Sequence, residues 1–233
     1  MNVLIACEES QVVCKAFRKR GHRAFSCDIQ ECSGGHPEWH ILGDCLPLLH
    51  PKRYKNCQFQ TSDGSWHLFK PWDLIIAHPP CTYLTLAGNK WFKPEFASRF
   101  PERLKQREEA IAFFMQFANA DCERIAIENP VGIMSSIWRK PDQYIEPFYF
   151  GDPEKKKSGL WLKGLPKLQP TNVVEPIIIH CASGANEPRG HMETMKLPKE
   201  ERSKARSKTF PGTGEAMGAQ WGEFLKQEVS DNG

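Results

Sequence analysis

Short apolar runs that end in polar residues recur through the first half of the chain. Residues 3–6, 23–27 and 73–77 are each predicted to form a strand, and residues 41–42 a shorter one. A brief apolar run without a polar face fits a strand that is covered on both sides. Because other segments separate these runs, the pattern favours a parallel sheet whose polar strand ends meet at one edge.

Helical periodicity fills the connections between the strands. The apolar positions of residues 12–17 fall on one face of a helix that ends before Gly21. Residues 101–119 form the longest predicted helix, with Leu104 among its apolar positions and Pro101 in its first turn. Residues 124–127 predict another strand, which ends at Glu128-Asn129-Pro130, and residues 214–226 predict a last helix.

The remaining segments are turn-rich or highly charged. Asp63-Gly64 predicts a hairpin within an insertion at residues 52–71, and residues 182–208 are expected to form a loop insertion. The chain has 233 residues, which suits a single domain over 1–233. We therefore predict an α/β, Rossmann-like fold with a mostly parallel sheet and helices on both faces.

Composition narrows the functional classes only a little. The net charge of +3 permits nucleic-acid binding without requiring it. No run of about 18 apolar residues predicts a membrane helix, and the first residues read as a strand rather than a signal peptide. We expect a cytoplasmic protein whose nine cysteines are reduced.

Pro79-Pro80-Cys81 follows the strand at residues 73–77. The two prolines remove two backbone donors and stiffen the chain, so Cys81 would be presented on a rigid turn at the sheet edge. A thiolate is a good nucleophile, but a free cysteine has a pKa of about 8.5 and needs activation. The alternative is a small buried cysteine beside a turn.

Glu128 ends the strand that follows the long helix. In a parallel sheet this strand end and that of Cys81 would be neighbours, which places a nucleophile beside a general acid. A carboxyl group at a strand end is also compatible with a solvated side chain or a helix cap.

Acidic residues follow the other predicted strands. Glu8 and Glu9 follow the first strand, Asp28 the second and Asp44 the third. An acid after the second strand commonly binds ribose hydroxyls, and several acidic strand ends suit a cationic cofactor that contains a nucleoside. Exposed strand ends that merely carry ordinary acidic residues are the alternative.

The sequence His78-Pro79-Pro80-Cys81, followed by Glu128-Asn129, resembles the Pro-Cys and Glu-Asn motifs of C5-cytosine DNA methyltransferases. Residues 150–153, 160–162 and 211–222 resemble short phage- and prophage-type members that lack a full target-recognition domain. The resemblance covers most of the chain. It implies a class I methyltransferase fold, S-adenosyl-L-methionine as cofactor, and double-stranded DNA with a flipped-out cytosine as substrate.

The resemblance also implies roles for individual residues. Cys81 would attack C6 of cytosine, Glu128 would bind N3 and the amino group, and Asn129 would orient the loop. The residues expected to bind the cofactor are Ala6, Cys7, Glu8, Glu9, Ser10, Asp28, Asp44, His78 and Pro79. Those expected to contact the substrate are Pro80, Thr82, Lys156 and Lys157.

Three features depart from the larger family members. The glycine-rich end of the first strand is replaced by residues 6–10, and no Gln-x-Arg-x-Arg motif is present, so Lys156 or Lys157 would take its place. No target-recognition domain of the usual size fits between residues 171 and 208. Candidate DNA contacts are the loops at residues 52–71 and 82–100 and the basic run Arg202, Lys204, Arg206 and Lys208.

Several alternatives stay open at this level. His78-Pro79-Pro80-Cys81 could be a degenerate form of the loop of adenine-N6 or cytosine-N4 amino-methyltransferases. The donor could be a carboxylated S-adenosylmethionine, the substrate RNA, or the protein a non-catalytic nucleic-acid-binding module. Cys27, Cys32, His36 and His40 invite a zinc site, but the spacing lacks a Cys-x-x-Cys pair, so no metal is predicted.

Overall fold

The computed structural model describes residues 1–51, 58–181, 184 and 186–231. In these ranges the strands are β1 (Asn2–Ala6), β2 (Arg23–Asp28), β3 (His40–Leu42), β4 (Gln58–Gln60), β5 (Trp66–Leu68), β6 (Leu74–Ala77), β7 (Ile125–Pro130), β8 (Gln143–Ile145), β9 (Ser158–Lys163), β10 (Ile178–His180) and β11 (Asn186–Pro188). The α-helices are α1 (Val12–Arg18), α2 (Leu46–Leu49), α3 (Arg103–Ala118), α4 (Met134–Ile137), α5 (Arg189–Met195), α6 (Lys199–Ser207) and α7 (Pro211–Asp231).

The central sheet has the strand order β3-β2-β1-β6-β7-β9-β8. The pairs from β3 through β7 are parallel, whereas β9 runs antiparallel to both β7 and β8. The predicted Rossmann-like α/β fold is therefore confirmed.

Both faces of the sheet are covered, which explains why its central strands are apolar throughout. On one face, Leu4 and Ile75 pack with Phe114 of α3. On the other face, Ile5 packs in a cluster with Trp221 of α7. Since successive residues of a strand point to opposite faces, a strand between two helical layers has no polar side, and each run ends in polar residues where it leaves the core.

The register of the sheet places three strand ends side by side. Ala6 of β1 is paired with Ala77 of β6, and Ala77 with Ile127 of β7. Neighbouring strands lie about 5 Å apart. The residues that follow these three positions therefore start one shared surface at the carboxyl edge of the sheet.

The segment at residues 182–208 is not the loop that we expected. Its described part contains β11, α5 and α6. Arg202 donates to the carbonyl oxygens of Met195 and Leu197, and Arg206 Nε donates to Thr194 Oγ1 at 2.8 Å. The charged side chains that suggested a loop instead hold two helices together through hydrogen bonds.

Two smaller expectations concern surface features. The strands β4 and β5 form an antiparallel hairpin around Asp63-Gly64, as predicted, while residues 52–57 of that insertion lie outside the described residues. Leu104 of α3 is 62% exposed rather than part of the packed face. Among the described helices, none is both long and apolar enough to cross a bilayer.

Candidate active site

The chain leaves β1 through a sharp bend that has no glycine. Cys7 and Gln11 adopt left-handed backbone conformations, with φ values of 59° and 58°. Such conformations cost a non-glycine residue about 1 kcal/mol or more and persist only where the surroundings enforce them. Gln11 is held by a hydrogen bond from its Nε2 to the His36 carbonyl oxygen, at 2.8 Å, and by one from the His36 N–H to its Oε1. The bend thus replaces the glycine-rich strand end that the sequence lacks.

Glu8 serves the start of helix α1. Its carboxylate accepts the backbone N–H groups of Val13, at 2.6 Å, and of Cys14, at 3.2 Å. Burial raises the pKa of Glu8 to about 7, although His78 and the two backbone donors act in the opposite direction. Glu8 was predicted as a cofactor ligand, but the structure uses both of its oxygens to anchor α1.

Glu9 differs from Glu8 in that its carboxylate has no hydrogen bond within the described part of the chain. The residue is 4% exposed, and neither carboxylate oxygen has a hydrogen-bond partner there. The Lys204 and Lys208 ammonium groups lie 3.9 and 4.0 Å from its oxygens. A buried carboxylate normally accepts hydrogen bonds, so Glu9 retains the capacity to bind a further cation.

The other predicted cofactor residues line the same edge. Asp28 Oδ1 accepts the Gln30 N–H at 2.9 Å, and Asp44 Oδ1 accepts the Leu46 N–H at 3.0 Å. Ser10 is buried. The thiol of Cys7 forms a hydrogen bond with Cys45, and this contact together with burial raises the pKa of Cys7.

Cys81 lies on a turn that is fastened to both neighbouring strands. The His78 N–H donates to the Ala6 carbonyl oxygen at 3.0 Å, which ties the turn to β1. Asn129 Nδ2 donates to the Pro79 carbonyl oxygen at 2.7 Å, a buried contact that ties it to β7. The predicted role of Asn129 in orienting this loop has a direct geometric counterpart in that contact.

Glu128 is surrounded by donors and a positive charge. His78 Nδ1 donates to Glu128 Oε2 at 3.2 Å. Burial alone would raise the pKa of Glu128, but the hydrogen bonds of His78 and Ser158 and the charge of Lys156 outweigh it and lower the pKa to about 2. Glu128 is therefore ionised at neutral pH in the free protein.

The Cys81 thiol shares this electrostatic environment. Burial raises its pKa, the negative charge of Glu128 raises it further, and the positive charge of Lys156 opposes both. The structure thus brings Cys81, Glu128, Asn129 and Lys156 together. The sequence did not predict the contacts of His78 and Ser158 with Glu128. The position of a residue next to a strand does not show which side chain it contacts.

A small cavity of about 30 Å³ lies next to Glu128. Its walls include Lys156, Lys208 and Phe210, and Lys156 Nζ lies 5.7 Å from the centre of the Phe210 ring. A space of this size admits about one water molecule. The segment before α7 therefore closes over the carboxylate, a feature that the sequence did not reveal.

Some predicted contacts lie elsewhere. Lys157 contacts Tyr144, with its ammonium group 4.6 Å from the ring centre. Pro80 and Thr82 flank Cys81 and are exposed. Of the predicted basic run, Arg202 and Arg206 are bonded within the α5–α6 pair.

The loop at residues 82–100 combines aromatic rings with cations. It contains two 3₁₀ turns, Leu86–Phe92 and Pro94–Phe96. Arg103 and Arg107 of α3 stack on Phe92, and Lys90 lies 4.7 Å from the Trp91 ring centre. The loop is thus seated on α3 while Lys90 remains at its exposed surface.

The two histidines considered for zinc are engaged with other partners. The two ring nitrogens of His40 contact Ser26 Oγ and the Gln30 carbonyl oxygen, each at 2.9 Å, and His36 stacks on Trp39. No group of three or more His, Cys, Asp and Glu side chains among the described residues is arranged to hold a metal ion.

No protein-family model matches the chain, and no curated protein matches its sequence. Among solved structures, it is similar to an E. coli protein described as a "putative DNA modification methyltransferase encoded within prophage". The two chains are 15% identical, with a TM-score of 0.43, over 75% of this chain and 52% of that chain. The chain thus spans about half the length of that protein. A similarity this distant identifies neither the family nor the activity of the present chain.

Proposed function

We propose that the protein is an S-adenosyl-L-methionine-dependent DNA (cytosine-5) methyltransferase. The observation that carries this proposal is the junction of Cys81 and Glu128 at adjoining strand ends, with Asn129 bonding the cysteine turn to the strand of the glutamate. A sulfur nucleophile beside an ionised carboxylate that a histidine orients is an arrangement suited to covalent catalysis.

The residues have distinct parts in this chemistry. The Cys81 thiolate forms a bond to C6 of cytosine, which makes C5 nucleophilic. Glu128 accepts a hydrogen bond from the amino group of the ring and, on taking up a proton, donates it to N3, which receives the electron pair displaced by the attack. When bound, S-adenosylmethionine supplies the electrophilic methyl group that C5 acquires. Water then takes the C5 proton, the electrons of the C5–H bond form the C5–C6 double bond again, and Cys81 leaves C6 as a thiolate. N3 returns its proton to Glu128, which restores the aromatic ring. Lys156 favours the thiolate that the attack requires, since its positive charge opposes the rise in the pKa of Cys81 that burial and Glu128 cause.

The carboxyl edge of the sheet suits a cationic nucleoside. Asp28 and Asp44 follow β2 and β3, where ribose hydroxyls are commonly bound. Glu9 contributes a buried carboxylate that, within the described residues, accepts no hydrogen bond. These three residues would hold the cofactor, with Glu9 towards its positively charged end.

DNA is the substrate that the surrounding surface favours. A base within a duplex cannot reach a recessed thiol, so the cytosine must leave the stack. The loop at residues 82–100 presents Lys90 and Trp91 beside the cysteine turn, and such a mixture suits phosphates and unstacked bases. Because residues 171–208 are too few for a target-recognition domain of the usual size, we expect a short or relaxed target sequence.

Lys156 also supports a second donor. A carboxylated S-adenosylmethionine would need a basic group near the reacting carbon, and Lys156 lies close enough to Cys81 and Glu128 to shift the pKa of both. The product would then be carboxymethylcytosine, which differs in mass from methylcytosine.

Nucleoside mass spectrometry of DNA incubated with the protein and S-adenosylmethionine tests the proposal. We expect 5-methylcytosine with the wild type and with Cys32→Ala, a control that removes a half-buried thiol from a loop after β2, and none with Cys81→Ala. N6-methyladenine, or full turnover by Cys81→Ala, would refute the proposal.

A second measurement tests the covalent step itself. DNA that contains 5-fluorocytosine should trap the enzyme, because fluorine cannot leave C5 as the proton does and the bond between sulfur and C6 persists. We expect a complex that survives denaturing electrophoresis and requires Cys81. Turnover of ordinary DNA without any such complex would contradict the proposed mechanism.

A further inference from the structure

A basic strap, defined here as residues 204–210, crosses the carboxyl edge of the sheet above the candidate site. Lys156 Nζ donates to the Arg206 carbonyl oxygen at 2.8 Å, which fixes the strap near Glu128. Lys208 Nζ donates to Ser33 Oγ at 3.3 Å, on the loop after β2. The strap therefore reaches from the β9 side of the site to the β2 side.

Beneath the strap lies the Glu9 carboxylate. Its side chain is 5% exposed, whereas the Lys204 and Lys208 side chains are 43% and 44% exposed. Both ammonium groups stop about an ångström short of charge-assisted hydrogen-bond distance, which is roughly 2.8 Å. Within the described residues, the carboxylate is thus neutralised at a distance but not hydrogen-bonded.

Such an arrangement is characteristic of a binding site in which the ligand supplies the missing hydrogen bonds. Burying a carboxylate without hydrogen bonds is unfavourable, and half-exposed lysines at this distance compensate only weakly. A primary ammonium group that entered the site could donate directly to both oxygens. The cofactor that we propose has one such group, on its amino-acid portion.

We propose that Glu9 binds the ammonium group of the nucleoside cofactor and that this releases Lys204 and Lys208 to contact DNA phosphates. The inference rests on the proposed function. Once a ligand charge neutralises Glu9, both lysines lose their attraction to its carboxylate, and Lys208 keeps only the exposed 3.3 Å hydrogen bond to Ser33 Oγ. Their long side chains can then turn to the rim of the site. Cofactor binding and DNA binding would then strengthen each other.

The salt dependence of DNA binding measures this release. Each phosphate contact adds about 0.9 to the slope of log affinity against log salt, so two lysines add about 1.8. We would measure duplex binding between low and moderate salt with S-adenosylhomocysteine, which carries the ammonium group but transfers no methyl group. Methylthioadenosine, the matching thioether without the amino-acid portion, is the control ligand.

The expected results differ between variants. Wild-type protein should show a slope steeper by about 1.8 with S-adenosylhomocysteine and no change with methylthioadenosine. Glu9→Gln should show the steep slope without any nucleoside, since its lysines are already free. Lys204→Ala combined with Lys208→Ala should lose the nucleoside effect, whereas Lys196→Ala combined with Lys199→Ala, which removes two exposed lysines of the same region, should retain it.

Calorimetry of nucleoside binding separates the possible failures. If S-adenosylhomocysteine binds but leaves the wild-type slope unchanged, or if methylthioadenosine steepens it equally, the release of the lysines is refuted and the proposed function stands. If S-adenosylhomocysteine does not bind at all, the proposed function and this inference fall together.

Discussion

The hydrogen bond between Asn129 and Pro79 gives a quantitative test of how the nucleophile is positioned. Replacing Asn129 by Ala removes a buried contact of 2.7 Å and leaves the Pro79 carbonyl oxygen without that donor. The loss of one partner from a buried pair costs about 1–3 kcal/mol. A domain of this size is usually stable by about 5–15 kcal/mol, so we expect the variant to fold.

The effect on activity should exceed what this loss of stability implies. Cys81 is two residues beyond Pro79, so freeing that carbonyl lets the turn shift relative to Glu128. A misplacement of about 1 Å at a reacting group costs about 100-fold in rate. We expect the kcat of methyl transfer to fall by about that factor, together with the rate of trapping by 5-fluorocytosine DNA.

Gln143→Ala is the matched control. Gln143 exchanges two hydrogen bonds with the backbone of Leu168, at 2.6 and 2.9 Å, at the outer edge of the sheet. Its loss should lower stability at least as much while kcat stays within about twofold of wild type, because the reacting groups are not moved. Urea unfolding and initial rates on both variants decide the matter. Wild-type kcat in Asn129→Ala, or an equal loss in Gln143→Ala, would refute the positioning role.

Three further outcomes are expected. The pKa of Glu8 is raised to about 7 in the folded state from an ordinary 4.5, so the folded state binds this proton more tightly and stability falls as pH rises from about 4.5 to 7. Urea unfolding should show Glu8→Gln gaining about 3 kcal/mol relative to wild type over that window, and a constant difference would contradict it. The pKa of Cys81 is raised by burial and by the charge of Glu128, so the pH midpoint of its alkylation, followed by mass spectrometry, should be lower in Glu128→Gln than in the wild type. An unchanged midpoint would argue against their coupling. Gly132→Ala should destabilise by about 2 kcal/mol, because its Cβ would lie 2.2 Å from a backbone oxygen, whereas Gly88→Ala, with 3.3 Å, should be tolerated. Equal thermal midpoints for the two glycine variants would refute that reading.

The central parallel strands were predictable because burial on both faces makes their sequences largely apolar. Short, largely apolar runs identified β1, β2, β6 and β7, and the polar residues at their ends identified the edge at which Cys81 and Glu128 meet. Because parallel strands all end at the same edge of the sheet, residues that are far apart in the chain could be predicted to lie close together there.

The partner that each polar side chain contacts was less predictable than its position at the edge of the sheet. Glu8 and Glu9 are adjacent acids at one strand end, yet only Glu8 reaches the N–H groups of α1. Lys156 and Lys157 are equally basic, but successive side chains in an extended segment point in opposite directions, and only Lys156 faces Glu128. These outcomes depend on the direction of single side chains, which composition and spacing do not encode.

The α5–α6 region shows a different limit. Its helices are stabilised by arginines that bond to nearby carbonyl and hydroxyl oxygens, so an apolar stripe is not needed to mark them. A reading based on hydrophobic periodicity therefore assigns such a segment to a loop.

Three contacts that build the site, His78 with Glu128, Pro79 with Asn129 and Lys156 with Arg206, each join residues 50 positions apart. A chain emerging from the ribosome therefore presents its reactive sulfur long before the groups that would direct it. A chain that stops before residue 128 lacks all three contacts, whereas one that stops between residues 130 and 205 can form the first two but not the third. Assembly of the candidate site is thus complete only when synthesis has passed residue 206.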